Sequence, residues 1–274
     1  MTIDDVLGDR RWLVLTGAGV STDSGIPDYR GPGAPVRTPM TGQQFRSGET
    51  ARQRYWARAY LGWTAMGTAA PNTTHRILAD LERDGRTSGL ITQNVDGLHS
   101  AAGSRDVVDL HGRVDRVICL DCGSTSPRAA LQDRLAALNP GFAAEDLRVL
   151  PDGDVELEAT AGFVLAACTG CGGDLKPDVV FFGENVPAER VARCHALVDR
   201  AEALVVLGSS LHVFSGRRFV KRAHDLGIPV VIVNRGETRG DPWATLKVEA
   251  GCAETLAAYV AGRGVSPRTD LTPA

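Results

Sequence analysis

Trp12-Leu13-Val14-Leu15-Thr16-Gly17-Ala18-Gly19-Val20-Ser21 runs from an apolar strand straight into a loop of glycines and small hydroxyl residues, and continues as Thr22-Asp23-Ser24-Gly25-Ile26-Pro27-Asp28-Tyr29-Arg30. Glycine admits positive φ and lets a ligand approach the backbone, and free N–H groups at a following helix start favour phosphate. The spacing departs from the common dinucleotide fingerprint, because Gly25 follows Gly19 by six residues where G-x-G-x-x-G needs three. On these residues the loop reads as a phosphate cradle, with a structural strand-to-helix turn as the competing reading.

Outward from this loop, short β-branched or Leu-rich runs alternate with helical stretches. The pattern predicts strands at 12–16, 89–92, 107–110, 203–207, 230–233 and 245–248. It predicts helices at 73–83, with Asn72 as N-cap and Ile77, Leu78 and Leu81 as the apolar stripe, and at 188–200, 217–226 and 253–261. The expected fold is α/β, a Rossmann-like doubly wound parallel sheet built from 1–31, 72–112 and 177–262. Two stretches break the rhythm: 32–71, helical around 53–63, and 113–176, with weak core patterning. They are read as a helical insertion and a second, cysteine-bearing one that together form a smaller domain, leaving 263–274 as a flexible tail. A ligand cleft is then expected between the two bodies, at the C-terminal ends of the strands.

Composition narrows the class. With 274 residues, 43% hydrophobic and 23% charged, the chain is long enough to bury a sizeable core. A net charge of −3 offers no general attraction to nucleic acid or anionic membrane. No run approaches the roughly 18 apolar residues that span a bilayer. The acidic start Met1-Thr2-Ile3-Asp4-Asp5 lacks a basic region followed by an apolar one, so a cytoplasmic protein is expected.

Four of the six cysteines form two C-x-x-C pairs, Cys119/Cys122 and Cys168/Cys171, each followed by glycine. This spacing lets both sulfurs of a turn face one point, and four thiolates complete a tetrahedral Zn²⁺ shell. A closed shell leaves no position for water, so the expected zinc is structural. Cys194 is read as core, and Cys252 as space-filling or as lining a nucleotide pocket.

Polar groups gather where the strands end. Gln93-Asn94-Val95-Asp96 follows one apolar strand, and amide and carboxylate side chains at such an edge need partners if buried. A second strand delivers His111, whose pKa near neutrality suits general-base work. Gly208-Ser209-Ser210 and Asn234-Arg235-Gly236 end two more strands. The extended Val179-Val180-Phe181-Phe182 segment either offers a strand edge to a peptide or is a core linker.

In this order, GAGVSTDSGIPDYRG, PNTTH, TQNVDGLH, LHG, CLDC, CTGC, KPDVVFFGE, GSSLHV and VN resemble the sirtuin family of NAD-dependent protein deacylases, from Trp12 to about Ala261. Tyr29, RYWARAYLGW, CLDCGSTSPR and GSSLHVFSG look like class II, the branch associated with lipoamidase and ADP-ribosyltransferase activities, in a bacterial relative. The resemblance implies NAD and one zinc ion as cofactors. It implies NAD contacts from Gly17, Ala18, Gly19, Ser21, Asp28, Tyr29 and Arg30, and from Gln93, Asn94, Val95 and Asp96. The adenosine half would meet Gly208, Ser209, Ser210, Asn234, Arg235, Gly236 and Cys252. His111 would be the catalytic base, with Asn94 and Asp96 beside it. Val180, Phe182, Gly183, Glu184, Leu211, Val213 and Phe214 would clasp the substrate peptide. The implied partner is an acyl-lysine protein, and the acyl group passes to ADP-ribose with release of nicotinamide.

Other readings compete. A mono-ADP-ribosyltransferase would use the same NAD site, and a non-catalytic nucleotide sensor with a zinc ribbon would bind without turnover. The zinc region lacks the Lys/Arg stripe of a nucleic-acid reader. Tyr55 and Arg58 superficially match a pair that selects acidic acyl chains, against the reading that Tyr55 is core and Arg58 solvated.

Overall fold

Strand β1, Trp12–Thr16, is buried over its whole length. Its side chains alternate between two apolar clusters: Trp12 and Val14 join one, Leu13 and Leu15 the other. That alternation is what a central strand covered on both faces requires. The computed structural model describes residues 1–29, 39–143, 155, 157 and 160–263. Within them the helices are α1 Ile3–Leu7, α2 Gly42–Arg46, α3 Glu49–Thr68, α4 Thr73–Arg83, α5 Leu98–Ala101, α6 Arg128–Leu138, α7 Ala188–Asp199, α8 Phe214–Asp225 and α9 Cys252–Gly262. The remaining strands are β2 Thr87–Thr92, β3 Val107–Asp109, β4 Gly112–Cys119, β5 Thr125–Pro127, β6 Leu175–Val179, β7 Ala203–Leu207, β8 Val230–Val233 and β9 Leu246–Val248.

The main sheet is parallel, in the order β3-β2-β1-β7-β8-β9. Helices α1, α4 and α9 cover one face through Leu7, Ile77, Leu81, Leu256 and Val260. Helices α7 and α8 cover the other through Cys194, Leu197, Phe219 and Val220. The chain order reverses at β1, whose neighbours are β2 and β7, which makes their C-terminal ends the topological switch point where ligands bind in such sheets. The expected doubly wound parallel sheet is borne out, and Cys194 is core as read.

Three expectations change. Stretch 113–176, read as weakly patterned, contributes to an antiparallel sheet in the order β5-β4-β6. That sheet shares a cluster with α2, α3 and α6, centred on Phe45, Tyr55, Trp56, Leu131, Leu135 and Phe163. Buried Arg128 holds its guanidinium over Trp56 and Trp63, 5.3 and 4.8 Å from the ring centroids, and donates to the Ala59 carbonyl. The glycine loop leads not into an α-helix but into two single 3₁₀ turns, Ala18–Val20 and Thr22–Ser24. Helix α8 starts at Phe214, three residues before the expected 217. Of the expected tail, Arg263 pairs with Asp4 at 2.6 Å, and the rest lies outside the described residues, as does Arg30. No described helix is long and apolar enough to cross a membrane.

Candidate active site and metal centre

The two glycine loops at the switch point interlock. Gly17 N donates to the Leu207 carbonyl at 3.0 Å and Gly19 N to the Gly208 carbonyl at 2.9 Å. A Cβ on Gly17 would stand 2.7 Å from Ser209 Cβ, and one on Gly208, at φ +58°, would stand 2.6 Å from Val20 N. These glycines are therefore needed by each other, because each loop's backbone stands where the other's side chain would be. Asn72, the N-cap of α4, fastens the loop from outside. Its Oδ1 accepts from Thr74 N, while its Nδ2 donates to the Val20 carbonyl at 2.8 Å and to Ser24 Oγ at 3.0 Å.

Ser21 joins this loop to the polar end of β2. Its hydroxyl donates to Asp96 Oδ2 at 2.7 Å and accepts from Asn94 Nδ2 at 3.0 Å. Asn94 Nδ2 also reaches the Gly17 carbonyl at 3.1 Å. Gln93 Nε2 spans to Ser209 Oγ at 2.9 Å, bridging to the second loop. The Asp96 carboxyl is pushed up by burial, which outweighs the hydrogen bonds from Leu98 N and Ser21 and the field of Arg113. Val95 differs from its neighbours: its carbonyl accepts from Val114 N at 2.9 Å, and its side chain packs on the cluster of Ile26, Met66, Leu98 and Val114.

His111 follows β3 and stands beside this edge. Its Nδ1 lies 2.9 Å from the Gln93 carbonyl oxygen, and its Nε2 lies 2.7 Å from Ser215 Oγ. A carbonyl only accepts, so Nδ1 carries the proton and Nε2 presents the lone pair. Burial lowers the imidazole pKa against the opposing Gln93 bond, with Arg190 and Arg218 adding to the lowering. The backbone is pinned as well, since Val180 N donates to the His111 carbonyl at 2.7 Å.

The residues expected to clasp a peptide divide. Phe182, Val213 and Phe214 are exposed at 41%, 39% and 61%, and Tyr29 at 40% stacks edge-on to Phe182 with ring centroids 6.2 Å apart. Gly183, at φ +79°, turns the chain beside Phe182. Two others point away from the surface. Leu211 is buried, packed in the α8 cluster beneath Gly240, so its side chain is core and not a peptide contact. The Glu184 carboxylate turns inward, accepting from Phe181 N and pairing with buried Lys176 at 3.0 Å and with Arg46 at 3.4 Å.

Towards β8 and β9, Asn234 Nδ2 donates to the Arg235 and Gly236 carbonyls, and Gly236 N donates to Glu249. Arg235 faces Glu254 at 3.6 Å, and the Ser210 carbonyl accepts from Arg239 N at 3.0 Å. Cys252 is buried at the start of α9 with its thiol pushed up to about 12 by burial. A thiol held there stays protonated near neutral pH, which argues against a nucleophilic role. Asp28 is half-buried in the loop. Sequence reading missed Ser215 and Asn72's grip on the loop. The Asn72 cap was visible, but its second use depends on a contact 52 residues back in the chain.

The metal centre lies at the far end of the small sheet. Ligand atoms of Cys119, Cys122, Cys168 and Cys171 all fall within 4.8 Å of one another. The Cys119–Cys171 and Cys122–Cys168 sulfurs are 3.5 and 3.9 Å apart. Four sulfurs at about 2.3 Å from Zn²⁺ have edges of about 3.8 Å, so the set fits that ion. Gly123 and Gly172, at φ +72° and +77°, close matching turns by donating to the Cys119 and Cys168 carbonyls. This is the strain relief expected of a glycine after each pair.

Comparison with known proteins agrees with this geometry. The model of the Sir2 family matches residues 17–215. The chain is 56% identical over 257 residues to NAD-dependent protein deacetylase 1 of Mycobacterium avium (strain 104), covering 92% of this chain and 91% of that one. It is 52% identical over 252 residues to the NAD-dependent protein deacetylase of Xanthomonas campestris pv. campestris (strain 8004), covering 90% and 86%. A solved Sir2 complex with a p53 peptide and NAD⁺ superposes with a TM-score of 0.78 at 34% identity, covering 96% of this chain and 97% of that one. From the first glycine loop to the start of α8, and in a fold shared almost end to end, this chain belongs to the Sir2 family.

Proposed function

We propose that this chain is an NAD-dependent protein-lysine deacylase of the cytoplasm, resembling class II sirtuins. The observation that carries the reading is His111: a neutral imidazole beside the polar end of β2, with its proton fixed on Nδ1 and its Nε2 lone pair facing a hydroxyl, that of Ser215. The relatives' names support the reaction class, and the exposed Tyr29–Phe182 and Val213–Phe214 surfaces support a peptide substrate. Residues 1–31, 72–112 and 177–262 are proposed as the NAD-binding body, and 32–71 with 113–176 as the zinc-binding one.

Gly17, Gly19 and Gly208 are proposed to border a pyrophosphate where the two loops meet beyond β1 and β7; their close contact already leaves no room for a side chain on Gly17 or Gly208. Ala18, Ser21, Asp28, Tyr29 and Arg30 are proposed to border it. Asn94, Asp96 and Gln93 orient the ribose and carboxamide, and Ser209, Ser210, Asn234, Arg235, Gly236 and Cys252 surround the adenosine. When bound, NAD supplies an electrophilic ribose carbon, a departing nicotinamide and a hydroxyl that receives the acyl group. His111 takes a proton at Nε2, and burial keeps that nitrogen unprotonated near neutral pH. The four cysteines hold zinc as a structural ion away from this chemistry. Tyr55 is packed against Phe45, Trp56 and Phe181, and Arg58 Nε donates to the Val155 carbonyl at 2.5 Å. Both engagements favour acetyl and longer neutral acyl chains over acidic ones.

The test is incubation with NAD and acetyl-, lipoyl- and succinyl-lysine peptides, following nicotinamide release and peptide mass together. The expected outcome is deacylated peptide with equimolar nicotinamide, nearly abolished in His111→Ala while NAD still binds. Release without peptide change, with label retained on protein, would replace the reading with ADP-ribosyl transfer.

A further inference from the structure

The lone pair that the reaction needs is already occupied. With the proton of His111 on Nδ1, the group 2.7 Å from Nε2 is the Ser215 hydroxyl, which must donate to it. Ser215 sits in the first turn of α8, and that turn is pressed against the β2 edge. A Cβ on the next residue, Gly216, would stand 2.6 Å from Gln93 Cδ and overlap its Oε1. Gln93 is also the residue whose carbonyl takes the Nδ1 proton. The imidazole is thus held at both nitrogens by two segments that lie against each other.

We propose that Ser215 is a positioning residue for the base: its hydroxyl holds the His111 ring with Nε2 directed at the proposed NAD site, and yields that nitrogen when a substrate hydroxyl arrives. With only the Nδ1 bond, the ring could pivot about its Cβ–Cγ bond and take Nε2 out of line. An α8 N-terminus at the same place adds a partial positive charge that opposes protonation of the ring. Ser215 also directly follows Val213 and Phe214, the exposed residues of the proposed peptide surface, so peptide docking acts on the chain segment that carries this hydroxyl. The inference rests on the deacylase reading above.

The experiment uses the full chain with zinc bound, as wild type, Ser215→Ala and Ser215→Thr. Two rates are read: deacylated peptide formed, which needs the base, and exchange of labelled nicotinamide into NAD, which reports departure before the base acts. Loss of one neutral hydrogen bond at the base is expected to lower kcat for peptide formation by about tenfold. Exchange and the KM for NAD should stay within about twofold of wild type, and Ser215→Thr should recover most of the lost kcat. An unchanged kcat in Ser215→Ala, a parallel fall of both rates, or a threonine variant as slow as the alanine one overturns the role. A wild-type protein that releases no nicotinamide with any acyl peptide would instead overturn the deacylase reading, and this inference with it.

Discussion

Gly112 is where one methyl group should damage both stability and chemistry. It holds φ +83°, and a Cβ there would overlap the Asp178 carbonyl oxygen and stand 2.9 Å from its carbon and 3.0 Å from Val179 Cα. The obstruction is backbone on β6, so no side chain can swing aside to relieve it. Left-handed backbone costs an alanine about 1–2 kcal/mol, and forcing the strands apart adds about 1–3 kcal/mol. Gly112→Ala should therefore lose about 2–5 kcal/mol of the roughly 5–15 kcal/mol that holds a domain folded. The displacement also reaches the proposed base, because Val180, the residue after β6, donates its N–H to the His111 carbonyl. A shift of about 1 Å at a catalytic group can lower turnover about a hundredfold. Gly103 is the control: its φ is +102°, nothing lies within 4 Å of a Cβ there, and alanine at that site meets the torsional cost alone. Urea unfolding and steady-state deacylation of both variants decide the matter. If Gly112→Ala unfolds no earlier than Gly103→Ala, or keeps wild-type kcat, the coupling of β6 to His111 is wrong.

Replacing Cys171 with alanine should abolish bound zinc in metal analysis and lower the melting temperature, and retained stoichiometric zinc would refute the four-sulfur site. Acid should destabilise the chain through His75 and His99, whose rings lie 4.7 Å apart. Burial, with Arg76 adding, lowers His75 to about 4, and burial, with His75 beside it, takes His99 well below its usual value. Both are neutral when folded, while the unfolded chain protonates below about 6.5. Stability should thus be complete above that pH and fall towards pH 4 by about 1.4 kcal/mol per unit for each histidine. Urea midpoints measured across that range should decline less steeply for His75→Gln, and an equal slope would exclude the histidine.

Much of the main sheet could be read from the chain because burial on both faces leaves strands such as Val230–Val233 as unbroken apolar runs. Helix α4 was equally plain, since Asn72 and the Ile77–Leu81 stripe act locally. The small sheet was hidden because its strands break the alternation. Strand β4 carries Arg113, Asp115 and Arg116, and β6 buries Lys176 next to Pro177. Lys176 is tolerated there through its pairing with Glu184, which lies outside the strand, together with a hydrogen bond to the Val179 carbonyl and the face of the Phe181 ring. The first turn of α8 was lost to Ser215-Gly216, which reads as a loop. The glycine is there to admit the Gln93 side chain, a contact no local pattern contains. The site was legible as a set of polar residues at strand ends, but not the direction in which Leu211 and Glu184 turn.

Leu211 shows why that direction escapes sequence reasoning. It holds φ +54°, which costs a non-glycine residue about 1–2 kcal/mol, yet its side chain is buried beneath Gly240. A glycine would remove the strain but lose an apolar side chain whose deletion from a core costs about 2–5 kcal/mol, so leucine is the more stable choice. The strained residue anchors the segment after β7 in the core, while Val213 and Phe214, two and three residues further on, stand exposed. An extended run with Leu211 in ordinary β geometry would alternate its side chains between core and surface. Here the left-handed residue breaks that alternation, and two successive apolar side chains are left on the surface next to the hydroxyl that meets His111. The same bend thus separates a core anchor from the proposed recognition surface, and any substitution that relaxes Leu211 should move Val213, Phe214 and Ser215 together.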